Sequence, residues 1–357
     1  MSAEASGRGL IERALARPVS DVTRAAWGFT NRTDMITLDN GERVVLQRYR
    51  RREDAEYRLR VMRGLRIPAA RAGIPLPRVR DFSLDADPAW VVYDVLPGVP
   101  VPEAGQAGPG GPRFPQMARI MGELLAAFRR LPAAGLEPGR LWADPGRLAA
   151  SAAGWARQLS ITNAGPCLDA VPSLFAGRPV VLAHGDFAPV NVLTDGEKVT
   201  GLLDFEAVRL ADPLFDAAWW AWSVSFSSPG VLQQAWPAFL DGAGIDAAEP
   251  GLTDRVRALA GATHARATRR RQSHPRHHRH RDGPVARDTR LTSTHPPPTI
   301  ERPRATGPVP RCLLMRRPRR NHRQLTKNQW RAACRAGERK NLAEKKNIPR
   351  PADRGMR

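Results

Sequence analysis

Along the first 260 positions, apolar residues recur with two different periods. Between Asp34 and Tyr49 they largely alternate with polar ones, and Asp39-Asn40-Gly41 interrupts the alternation, so strands Asp34–Leu38 and Glu42–Tyr49 are predicted to form a hairpin. A further strand and the hinge that follows it are predicted over Trp90–Gly98. Met117, Ile120, Met121, Leu124, Leu125, Phe128 and Leu131 follow the helical period and predict a core helix over 116–131. Residues 50–72 form a more charged helix with Leu59, Met62 and Leu65 on one stripe, interrupted or restarted near Pro68. Short helices are expected at 9–17, 146–160, 169–175, 230–241 and 252–261, and an aromatic one at Leu214–Phe226 carrying Trp219, Trp220 and Trp222. A Gly/Pro-rich stretch from Pro102 to Pro115 reads as a linker.

Beyond residue 262 both periods stop. The formal net charge of +21 resides entirely there: residues 261–357 hold 27 Lys+Arg against 6 Asp+Glu, leaving 29 against 29 in residues 1–260. Seven of the eight histidines lie in the same tail, and Lys198 is the sole lysine before it. Such Arg, His and Pro richness cannot assemble a packed core, so residues 263–357 are expected to be a disordered basic tail with one short helix near Asn328–Leu342. Its Arg runs would attract polyanions without specificity, but no nucleic-acid-binding motif stands behind them. The abrupt change is read as an out-of-frame continuation of an Arg-rich coding region, with a natural basic tail as the competing reading. A shifted frame near codons 260–265 should then open an aliphatic helical continuation. Cys167, Cys312 and Cys334 have neither the count nor the spacing of a disulfide framework or zinc site. No signal-peptide core or membrane-length apolar run is present, and a cytoplasmic protein is expected.

The densest chemistry lies in residues 179–216. The run Val180–Ala183 enters His184-Gly185-Asp186, and Asn191 follows five residues after the aspartate. Val192 and Leu193 start a hairpin arm, Asp195-Gly196 marks its turn, and Val199–Leu203 returns to deliver Asp204-Phe205-Glu206. Mg²⁺ takes hard oxygen ligands from few protein groups. An Asn and an Asp on the two arms of one hairpin can meet at such an ion, leaving the loop Asp to face a hydroxyl. That division of labour is the protein-kinase arrangement for phosphoryl transfer. A metal hydrolase using His184, Asp186 and Asp204 is a competing reading of the same residues.

His184, Gly185, Asp186 and Asn191, then Asp204, Phe205 and Glu206, then Asp212, Pro213, Asp216 and Ala218 together resemble the aminoglycoside phosphotransferase and choline kinase family. The resemblance implies an α+β, bilobal protein-kinase-like fold. Residues 1–97 would form a small antiparallel-sheet nucleotide-binding lobe, and residues 98–262 a mainly helical, incomplete catalytic lobe. It implies ATP and Mg²⁺, Asp186 as catalytic base, Asn191 and Asp204 as metal ligands, Asp216 as a buried brace of the catalytic loop, and a structural His184. Gly28, Thr30 and Asn31 would cover the phosphates, and the backbone at Asp94 and Val95 would meet adenine. A strand cation should pair with the phosphates. Strict alternation puts Gln47 in that place and turns Arg48 to the other face, so a bulge is needed for Arg48 to serve. Glu56 or Glu53 would then pair with that cation, an exposed Glu56–Arg60 pair being the alternative. The implied activity is transfer of a γ-phosphate to a hydroxyl of a small aminoglycoside-, choline- or macrolide-like acceptor. The alternative is an inactive kinase-like nucleotide-binding or interaction protein. No specific nucleic acid or membrane partner is expected.

Overall fold

The computed structural model describes residues 3–25, 31–133, 171–225 and 229–260, with isolated positions between 135 and 154. The basic tail, Gly28, Thr30 and most of the helix expected at 146–160 lie outside the described residues.

The first lobe is an antiparallel five-stranded sheet in the order β1-β2-β3-β5-β4. Its strands are β1 (Val19–Arg24), β2 (Arg32–Leu38), β3 (Arg43–Arg48), β4 (Val79–Ser83) and β5 (Trp90–Asp94). The predicted hairpin is β2 and β3, with Ile36 opposite Val44 and Thr33 opposite Gln47. The edge strand β1 escapes sequence reading because only Val19 and Val22 in VSDVTR are apolar, too few to show alternation. Helix α1 (Ala3–Leu15) starts earlier than expected and sets Ile11 against Val19, Ile36, Leu38, Val44 and Leu46 on one face of the sheet.

Helix α2 (Arg52–Arg71) closes the other face through Ala55 and Leu59, which pack with Tyr49, Val91 and Tyr93. Pro68 lies inside this helix and does not divide it. It falls in the last turn, where the missing N–H removes one hydrogen bond and little helix remains to be disrupted. The end is instead set by Gly73, whose φ of +69° begins a Schellman turn. Ile74 N–H donates to Ala69 O and Gly73 N–H to Ala70 O.

The second lobe is built on α3 (Phe114–Arg129), whose buried Met117, Met121, Leu125 and Phe128 realise the predicted stripe. Helices α4 (Val171–Phe175), α5 (Phe215–Ser225) and α6 (Pro229–Gly242) and a helical segment at 252–260 pack with it around one core. In that core Trp220 stacks on Phe239 with centroids 4.0 Å apart. Two small sheets belong to this lobe. One pairs β7 (Val181–Ala183) with β10 (Arg209–Ala211), and the other joins β6 (Val99–Pro100), β8 (Val192–Thr194) and β9 (Val199–Leu202).

Candidate active site

The loop leaving β7 is shaped by backbone demands. Gly185 has φ +82°, and a Cβ there would stand 2.0 Å from Ala207 O, so only glycine fits between the two loops. Asp216, at the start of α5 and 1 % exposed, accepts the N–H of His184 at 2.7 Å and of Gly185 at 2.8 Å. Burial nevertheless pushes its carboxyl up to about 6. His184 is fully buried, edge-on to Phe128, Phe187 and Phe205, with Nε2 2.9 Å from Leu203 O. Burial draws its pKa down to about 4, so the ring is neutral at pH 7 and ties the His184–Asp186 loop to the end of the hairpin.

Asp186 follows, held from two sides. Asn191 Nδ2 donates to Asp186 Oδ2 at 3.1 Å and to Asp186 O at 2.8 Å, and Trp219 Nε1 donates to Asp186 Oδ1 at 2.6 Å. With its nitrogen engaged, Asn191 has its side-chain oxygen left to offer a cation. The hairpin brings Asp204 alongside: Val192 lies opposite Leu202, and Leu203 N–H donates to Asn191 O at 2.8 Å. Asp204 itself has φ +63°, a left-handed conformation unusual for a residue with a Cβ. Such strain concentrates at functional sites. Burial first, and the Asp204 charge second, raise Asp186 to about 7, and the same two causes raise Glu206. The site therefore combines hard oxygens with closely spaced negative charge, a donor set suited to a divalent cation. Among the described residues no group of three His, Cys, Asp or Glu is placed to hold a metal. Mg²⁺ keeps several of its waters and needs only one or two protein carboxylates besides phosphate oxygens.

The wall contributed by the first lobe departs from several expectations. Asn31 reaches across to the hairpin end, donating from Nδ2 to Glu206 Oε1 at 2.6 Å. Arg48 does not. The β2–β3 and β3–β5 registers run unbroken through Gln47 and Arg48, so no bulge redirects the side chain. Arg48 shares the buried face of Val44 and Leu46 and pairs there with Asp34. Gln47 faces the cleft, its Nε2 3.0 Å from Glu206 Oε1 and its Oε1 accepting from Tyr49 Oη at 2.8 Å.

Glu56 is drawn outward to Arg52 at 2.7 Å, an i,i+4 surface pair one turn from the Arg60 partner considered in sequence, and Glu53 is engaged by Arg51. The α2 residue that enters the site is Arg58, whose Nη1 lies 3.2 Å from Asp204 Oδ1 and 3.3 Å from Glu206 Oε1. It went unrecognised in the sequence, although a cation in register with the buried stripe Ala55, Leu59, Met62 and Leu65 was a usable signal. At the end of β5 the Asp94 N–H is already given to Arg78 O, and the Asp94 carboxylate pairs with Arg80. Val95 follows, partly buried.

A five-stranded lobe joined to a helical lobe, with a loop Asp, an Asn five residues on and a hairpin Asp at their junction, defines the kinase-like class of folds. Residues 21–259 match the model of the phosphotransferase enzyme family, and the chain belongs to that family. An aminoglycoside 3'-phosphotransferase of Streptomyces fradiae is 33 % identical over 168 residues, 42 % of this chain and 58 % of the relative. A second, from Streptomyces ribosidificus, is 31 % identical over 163 residues, 40 % of this chain and 56 % of the relative. The chain thus spans somewhat over half the length of these curated relatives.

Solved structures share the fold. The GDP complex of aminoglycoside 2'-phosphotransferase-IIIa aligns with a TM-score of 0.61 at 13 % identity, covering 76 % of this chain and 93 % of that one. The macrolide 2'-phosphotransferase of Brachybacterium faecium aligns with 0.54 at 19 %, covering 76 % and 92 %. A thermostable mutant of aminoglycoside phosphotransferase APH(4)-Ia, solved with ADP and hygromycin B, aligns with 0.56 at 19 %, covering 76 % and 91 %.

Proposed function

We propose that the protein transfers the γ-phosphate of ATP to a hydroxyl of a small molecule, with Mg²⁺ as cofactor, and that the acceptor is an amino-sugar of the aminoglycoside type. The observation that carries this reading is the fixed Asp186 carboxylate, oriented by Asn191 and Trp219 while the hairpin sets Asp204 beside it. A carboxylate raised to about 7 is matched to accepting a hydroxyl proton near neutral pH.

Asp186 would take that proton as the acceptor oxygen bonds to the γ-phosphorus and the bond to the ADP oxygen breaks. Asn191 and Asp204 would hold the metal ion, which neutralises phosphate charge and aligns the transferring group. Asn31 closes the cleft from above through Glu206, and Gly28 and Thr30 precede it in the segment assigned to cover the phosphates. With the Asp94 amide engaged by Arg78, adenine would meet the Asp94 carbonyl and the Val95 backbone. Aminoglycoside acceptors are favoured because the curated relatives are 3'-phosphotransferases of that class. An inactive relative is not favoured, since base, amide and hairpin carboxylate are all present and linked.

The test is Mg²⁺-dependent ADP production in the presence of aminoglycosides, choline-like alcohols and macrolides. Aminoglycoside-stimulated turnover is expected, and Asp186→Asn should lower kcat by about 10²–10⁴-fold with nucleotide binding retained. Turnover that ignores every acceptor, or that survives Asp186→Asn, would sink the reading.

A further inference from the structure

A phosphoryl-transfer cleft of this fold needs a cation beside the nucleotide phosphates, yet the third strand turns the neutral Gln47 to the cleft and Arg48 away to Asp34. We propose that Arg58, reaching in from α2, is the phosphate-binding cation, so that the helix supplies the positive group and the strand a neutral one. This rests on the reading above that the cleft takes a magnesium-nucleotide.

Arg58 is a charged side chain only 7 % exposed, and what surrounds it shows why it can be held there. Its guanidinium lies over the Tyr93 ring at 5.3 Å, the geometry of a cation–π contact. Tyr93 Oη is 3.0 Å from Tyr49 Oη, Tyr49 donates to Gln47, and Gln47 donates to the same Glu206 oxygen that Arg58 meets. Gln47 is therefore the neutral complement of Arg58. A lysine at 47 would place two cations on one carboxylate, whereas an amide satisfies Glu206 and Tyr49 together without adding charge.

The position also suits the substrate. Arg58 Nη1 reaches Asp204 Oδ1, so the guanidinium borders the carboxylate assigned to the metal. Both contacts to carboxylates use that single nitrogen, and Nε is buried with no hydrogen-bond partner. A guanidinium carries five donors in a plane and pairs well with phosphate oxygens. Two other cations are engaged elsewhere: Arg52 by Glu56 and Asp85, and Arg209 by Ala207 O and the Phe215 ring.

The experiment is calorimetric titration of the full-length protein with a magnesium complex of a non-hydrolysable ATP analogue and, separately, with adenosine, which has no phosphates. Arg58→Met should weaken the analogue by about 10–100-fold, the loss of charge-assisted hydrogen bonds, and leave adenosine within about twofold. Adding Gln47→Lys to Arg58→Met returns a cation to the strand and should restore most of the analogue affinity. Restoration by a residue on another element distinguishes phosphate binding from a packing role.

If Arg58→Met fails to fold, Arg58→Lys takes its place: losing the planar fork should weaken the analogue several-fold and spare adenosine. Unchanged analogue affinity, or equal losses for analogue and adenosine, overturns the assignment while leaving the proposed function standing. A wild-type protein that binds no magnesium-nucleotide overturns both.

Discussion

The Asp186 carboxylate has a measurable signature. In metal-free protein it should titrate near 7, raised by burial first and by the Asp204 charge second, while the Trp219 and Asn191 hydrogen bonds pull it back. Carboxyl ¹³C shifts should therefore move to higher pH in Trp219→Phe and to lower pH in Asp204→Asn. The consequence for stability follows from proton linkage. The folded state holds this proton more tightly than the unfolded chain, so the contribution is fully present below about pH 4 and is lost as pH rises through about 7. Denaturant melts should show Asp186→Asn gaining stability relative to wild type between those limits. A difference that is flat with pH would contradict it.

At the scale of elements, Asp216 and Gly185 fasten the His184–Asp186 loop to α5 and to the loop after β9. Asp216→Ala strands two backbone N–H groups and should cost about 2–5 kcal/mol in urea unfolding. Gly185→Ala forces a Cβ onto Ala207 O and should lose at least about 2 kcal/mol together with the proposed transfer activity. A soluble, fully active Gly185→Ala protein would show that the loops separate more easily than this geometry allows.

The legibility of the sequence divides along the same line. The loop and hairpin were readable because His184, Gly185, Asp186, Asn191 and Asp204 sit at short fixed spacings, where local geometry leaves few alternatives. The hairpin β2–β3 and the stripe of α3 were readable because their faces differ sharply in polarity. Strand β1 was hidden because it lies at the edge of the sheet with little to bury. Arg58 was hidden because its partners, Asp204 and Glu206, are about 150 residues distant and meet it only when the lobes are assembled. Glu56 was left between a cleft cation and a surface partner at i,i+4, because no local signal separates the two.

For the whole molecule the division of charge is as informative as the fold. The family match ends at residue 259, next to the point where apolar periodicity stops and the basic excess begins. A chain ending at residue 260 has 29 basic and 29 acidic residues, against a net +21 for the full sequence. The full sequence should be retained on heparin in a salt-sensitive way and the shorter chain should not, with the proposed magnesium-nucleotide affinity unaltered. Equal retention of both chains would mean that the folded lobes carry a polyanion surface of their own. No helix among the described residues is long and apolar enough to cross a membrane.

The neutral residue at position 47 reaches into chemical biology as well. Electrophilic nucleotide reagents mark many ATP-using proteins by acylating an amine beside the phosphates, and through residue 260 the one lysine is Lys198, exposed near the far turn of the β8–β9 hairpin. If the proposed nucleotide site is correct, such a reagent should leave residues 1–260 unlabelled at the phosphates, where position 47 offers an amide and no amine.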